Sequence, residues 1–117
     1  MNDEELKKRS KKFAHRCAKL ALSIQGNQLG NHLAGQLIRC STSVAANYRA
    51  ACLAQSKPGF IAKLSIVLEE TDESAFWLEF IRDERLPREE QITPLLTEAN
   101  ELKTIFYASR KTASTNR

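Results

Sequence analysis

Apolar residues recur along this chain at alternating steps of three and four, the spacing of an α-helix. Near the N-terminus, Leu6, Phe13, Cys17, Leu20 and Ile24 fall within about 60° of one another on a helical wheel, opposite a run of lysines and arginines. That pattern predicts helix one over 4–25. Leu33, Leu37, Cys40, Val44, Tyr48 and Ala51 predict helix two over 31–54. A third stripe, Phe60, Leu64, Val67, Thr71, Ala75 and Leu78, with Ile61 and Leu68 beside it, predicts helix three over 57–84. Leu95, Ala99, Leu102 and Phe106 predict helix four over 93–111, followed by a frayed tail over 112–117. Strand-like alternation is absent. Long helices with short joints pack best beside antiparallel neighbours, so the expectation is an all-α, antiparallel up-down-up-down four-helix bundle, a single domain over 1–117.

The punctuation supports these spans. Asp3, Glu4 and Glu5 favour the positive end of helix one. Gly26 and Asn27 read as its stop signals, before a short loop through Gly30. Ser56 reads as an N-cap with Pro58 in the first turn behind it. Leu86-Pro87 should end helix three, Arg88 to Ile92 form a short turn, and Thr93-Pro94 supply the cap and first residue of helix four.

Two stretches ask for more than a bundle core. Helix two carries a run of small side chains, Ser41, Thr42, Ser43, Ala45 and Ala46, which would let another helix approach closely. Helix three has a second apolar face, Ile66, Phe76, Trp77 and Phe80, on the far side from its core stripe. A helix in an isolated bundle needs one such face. The second is read as an oligomer interface, the alternative being a helix end covered by a loop.

Charge divides the chain. Residues 1–57 hold ten Lys/Arg against three acids, while residues 58–117 hold eight against eleven, within a net charge of +4. Such asymmetry points to an anionic partner, to electrostatic assembly between copies, or to both. Cys17, Cys40 and Cys52 are an odd set without ligand-like spacing, which suits reduced thiols in a cytoplasmic protein. The start lacks the apolar segment of a signal peptide, and no membrane span is expected.

The candidate chemistry is phosphate contact. Lys7, Lys8, Lys11, Lys12, Arg16 and Lys19 on helix one, with Arg39 and Arg49 on helix two, could neutralise a nucleic-acid backbone with little base specificity. The bland alternative is a solvated face, or one that pairs with acids of helix three in a neighbouring copy, making the protein an assembly scaffold. Glu69, Glu70 and Glu73 match the E-E-x-x-E pattern of all-helical Mg²⁺-dependent nucleotide pyrophosphatases, where carboxylates one turn apart hold the metal. Its second half is missing, Glu98-x-x-Glu101 being the nearest substitute. A di-iron core needs inward Glu-x-x-His motifs, whereas Lys12 and Leu29 stand three residues before His15 and His32, both expected at the surface. The expectation is therefore a non-enzyme without cofactor or metal. Asn47, amid apolar neighbours, should make a buried hydrogen bond to Ser43, or across the bundle to Thr71 and Ser74, that sets helix register.

Gln36 to Phe80, followed by Leu95 to Phe106, resembles the four-helix-bundle proteins encoded in intervening sequences of large-subunit ribosomal RNA genes. The resemblance runs from about Phe13 to Lys111. It rests most on Arg39…Ser43-Val44-Ala45-Ala46-Asn47, on Gln55-Ser56-Lys57, and on Glu98-Ala99-Asn100-Glu101-Leu102. Many members carry a Glu-Gly pair after the Asn, where this chain has Tyr48-Arg49-Ala50-Ala51. The resemblance implies a ring-shaped homopentamer. It also implies a relation to the accessory protein of diversity-generating retroelements, a basic barrel that binds RNA or DNA and a reverse transcriptase.

Overall fold

The structure, a computed structural model, describes residues 1–86 and 89–115. Four helices follow in order: α1 (Asp3–Ser23), α2 (Gln28–Cys52), α3 (Lys57–Asp83) and α4 (Glu89–Thr115). They form an all-α antiparallel four-helix bundle, about 49 Å long and 20 Å across in both other directions. Each helix packs on its two neighbours in the cycle α1–α2–α3–α4, which gives a square cross-section. Across the diagonal, Tyr48 of α2 meets Phe106 of α4 with ring centroids 5.3 Å apart. The α1–α4 seam is the most sparsely packed of the four.

The helices begin where side chains can satisfy free backbone N–H groups. Asn2 accepts from the Glu5 amide at 2.8 Å, and Ser56 accepts from the Gly59 amide at 3.1 Å, with Pro58 in that first turn as expected. Gly26, at φ 132°, stops α1 in a conformation open to glycine. Asn27 does not belong to that stop. Its side chain accepts from the Gly30 amide at 2.7 Å and caps α2, which therefore starts three residues earlier than its apolar stripe suggests. Gly30 is helical rather than loop. A Cβ there would stand 2.0 Å from the Ile24 carbonyl oxygen, so only glycine lets this turn close against the end of α1.

The expected start of α4 is corrected. The segment read as a turn is already helical from Glu89, and Pro94 lies inside the helix rather than at its first position. Ile92 explains the difference: it is fully buried with Leu95, Ala99, Leu102 and Phe106. Burying a side chain of that size is worth about 1.5–3 kcal/mol, enough to offset much of the cost of an interior proline. At the other end the expected frayed tail is helical through Thr115. Pro87 and Arg88, expected to close helix three and open the turn, and Asn116 and Arg117 of the tail lie outside the described residues.

The four core stripes meet as read, with Phe60 half-buried at the rim and Ile81 added at the other end. The buried hydroxyls Ser10, Ser41, Thr71 and Ser74 bond to carbonyls of their own helices. Asn47 does the same, donating to the Ser43 carbonyl at 3.0 Å and to its hydroxyl at 2.9 Å. The Ser43 partner is as expected, but the bond stays within one helix and sets no register. Contacts between α2 and α3 set it instead. Arg39 pairs with Glu70 and Glu73, His32 stands edge-on to Trp77 at 5.8 Å, and the Cys40 sulfur lies 3.2 Å from the Ser74 hydroxyl.

Candidate nucleic-acid interface

The small side chains of helix two prove to be mostly outward. Of that run only Ser41 is buried, while Thr42 and Ala46 are exposed and Ser43 and Ala45 half-buried. Thr42, Ala45 and Ala46 form, with Ala14 and Ala18 of α1, the floor of an open groove of about 720 Å³ between the two helices. Its rim carries Lys7, Lys8, Lys11 and Arg49, with Glu4 and His15.

The basic residues of α1 thus separate into two strips. At about 100° per residue, Lys7 and Lys11 share the groove edge with Ala14 and Ala18. Lys8, Lys12, Arg16 and Lys19 turn outward or toward α4, with Lys8 reaching the groove rim as well. Lys7 pairs with Glu4 at 2.7 Å, which lowers the carboxyl of Glu4 and raises the ammonium of Lys7 from their ordinary pKa values. Among the described residues, none of Lys8, Lys11, Lys12, Arg16, Lys19 or Arg49 has a carboxylate within 4.0 Å. Arg39 stands apart from all of these. It reaches over α3, 3.2 Å from Glu70 and paired also with Glu73, whose carboxylate accepts from the Trp77 indole N–H at 3.0 Å.

One strong electrostatic contact escapes a reading of runs and stripes. Arg9 donates two parallel hydrogen bonds of 2.7 Å to Glu98 and a third, of 3.1 Å, to Glu101. Accepting from it, Glu98 first and then Glu101 make the Arg9 guanidinium hold its proton more tightly than usual, against the cost of burial. The side chains of Arg9 and Glu98 are 24% and 16% exposed, so the pair is largely withdrawn from water and bridges the sparsely packed α1–α4 seam. The Glu98-x-x-Glu101 spacing, one helical turn, is the signal that could have revealed a shared partner.

The acidic pattern of α3 is likewise structural in its contacts. Glu70 and Glu73 face α2 and Arg39, while Glu98 and Glu101 face α1 and Arg9. The two acidic pairs therefore lie on different seams. Among the described residues, no three His, Cys, Asp or Glu side chains stand close enough to share a metal ion. Burial raises the thiol pKa of all three cysteines; that of Cys40 is pushed up to about 11, which removes nucleophilic character at neutral pH.

The second apolar face of α3 forms a ridge. Phe76 is 50% exposed, Ile66 39% and Phe80 37%. Trp77 is half-buried against the core, with ring centroids 4.9 Å from Phe76 and 6.3 Å from Phe80. No helix among the described residues is long and apolar enough to cross a membrane.

Square packing of long helices around one core defines an all-α four-helix bundle, with a basic groove on one face and an acid-flanked apolar ridge on another. Residues 2–108 match the 23S rRNA-intervening sequence protein family, and the chain belongs to it. It is similar to a crystal structure of a protein of unknown function from the S23 ribosomal protein family of Bacteroides thetaiotaomicron. The TM-score is 0.85 and the identity 34%, over 96% of this chain and 100% of the other. No curated protein matches the chain.

Proposed function

We propose that this protein is a non-enzymatic homo-oligomer that binds nucleic acid through the basic surface of α1 and α2. The observation that carries the reading is the outward strip of α1, where Lys8, Lys12, Arg16 and Lys19 gather without acid partners among the described residues. Lys8 and Lys19 are eleven residues apart, about 17 Å along the axis, a length matched by roughly five base-pair steps of a duplex. Contact there is with phosphates, so affinity depends on salt rather than on sequence. The α3 ridge supplies the assembly surface, since bulky apolar side chains grouped on one exposed face mark interaction sites. Repetition around an oligomer multiplies the basic strip. The homopentamer and the nucleoprotein partner implied by resemblance to the retroelement accessory protein fit this arrangement.

Fluorescence anisotropy with RNA and DNA duplexes tests the reading. If the four cations each neutralise one phosphate, the slope of log affinity against log salt is about −3.6 per copy, or about 150-fold weaker binding between roughly 50 and 200 mM salt. Combined Lys8→Glu, Lys12→Glu and Arg16→Glu changes should abolish binding and leave the helical content intact. Affinity that ignores salt, or survives these changes, refutes it.

A further inference from the structure

The assembly reading leaves open what the α3 ridge docks against, and the same chain carries a surface of complementary shape and opposite charge. We infer that the α3 ridge of one copy seats in the α1/α2 groove of the next, an inference that rests on the oligomer reading above. The ridge is bulky and the groove floor is small: Ile66, Phe76 and Phe80 against alanines and Thr42. Large side chains of one helix set into a groove lined by small ones is how helices reach close packing. The lengths agree as well. Ile66 to Phe80 spans fourteen residues, about 21 Å, and Lys7 to Ala18 along the groove spans eleven, about 17 Å.

Charge selects this pairing over the symmetric ones. The groove rim carries Lys11 and Arg49 without a carboxylate partner among the described residues. The ridge is flanked by the exposed Glu69 and by Glu73, which Arg39 of its own chain already pairs. Ridge against ridge would set the exposed Glu69 of two copies face to face, and groove against groove would do the same to Lys11 and Arg49. Like charges brought together disfavour both, whereas ridge into groove joins opposite signs. Such a contact is heterologous: each copy keeps one free ridge and one free groove until a ring closes. Lys8, Lys11 and Arg49 lie at the rim of this contact, while the outward Lys12, Arg16 and Lys19 stay uncovered and remain open to phosphate.

The test uses two variants at exposed positions, Ala46→Trp to fill the groove and Phe80→Asp to break the ridge. Ile66→Asp serves as a second ridge variant if circular dichroism shows that Phe80→Asp has lost helix. By light scattering, wild type should run as an oligomer and each variant alone as a monomer. Mixed in equal amounts, Ala46→Trp contributes an intact ridge and Phe80→Asp an intact groove, and the mixture should stop at twice the monomer mass. An Ala46→Trp protein that self-associates like wild type overturns the docking while keeping the ridge as an interface. An Ala46→Trp protein of wild-type mass that loses RNA affinity overturns it in favour of nucleic acid in the groove. A monomeric wild type overturns the oligomer reading itself, and an oligomeric wild type whose Phe80→Asp variant keeps the same mass overturns the ridge as its interface.

Discussion

Pro94→Ala should make this protein more stable. Pro94 is the sixth residue of α4 and lacks the N–H that would bond to the Glu90 carbonyl. A proline in a helix interior costs about 3 kcal/mol relative to alanine. This one stands only two residues past the N-terminal residues that lack intrahelical partners, so its penalty is partly relieved by fraying, and about 1–2 kcal/mol is recoverable. Its side chain is exposed, so little packing is lost with it. With an unfolding entropy of about 2.1 cal/mol/K per residue, 117 residues give ~0.25 kcal/mol/K, and the gain becomes a rise of about 4–8 °C in Tm. Thermal denaturation followed by circular dichroism measures it, and amide exchange at Thr93 and Leu95 should slow in parallel. An unchanged or lower Tm would mean that the helix starts at Pro94, and the account of Ile92 given above would be wrong.

Arg9→Ala leaves the largely buried Glu98 carboxylate without its bidentate partner, which should cost about 2 kcal/mol and lower Tm by roughly 8 °C; combination with Glu98→Gln should recover part of the loss in a double-mutant cycle. Asn47→Ala should shift Tm by less than about 2 °C, because an intrahelical hydrogen bond is exchanged for better helix propensity. A thiol reagent at pH 8 should label Cys52 first in the native protein, and Cys17 and Cys40 only on unfolding, as mass spectrometry would show. Stability should also fall as pH rises above about 9, since Cys40 releases its proton near 9.0 when unfolded but is pushed up to about 11 when folded. The unfolded chain then binds fewer protons than the native one, and replacing Cys17 and Cys40 by alanine should flatten the decline.

Periodicity made the bundle legible because each helix buries a continuous stripe at helical spacing, and the ridge of α3 stood out because it broke that rule. Boundaries were harder. Asn27 can end a helix or cap the next, and only its bond to the Gly30 amide decides between them. Thr93-Pro94 has the form of a helix start, but burial of Ile92 outweighs it, a tertiary effect that local chemistry does not carry. The basic residues could be counted without being sorted. Arg39 differs from Arg49 because α3 places Glu70 and Glu73 beside it, and Arg9 was hidden because its partners lie 89 and 92 positions away.

The square cross-section has a geometric consequence for any oligomer built as inferred. The groove lies between α1 and α2, and the ridge lies on α3, beside α2 on its other side, so α2 is the corner between two adjacent faces. Contact faces on opposite sides of a subunit give straight filaments. Faces roughly 90° apart turn each copy by the same angle and bring the chain of copies back on itself after about four, or about five if the corner opens by roughly 18°. Curvature is then a property of the single bundle, and α2, with its small side chains, faces the axis around which the copies turn.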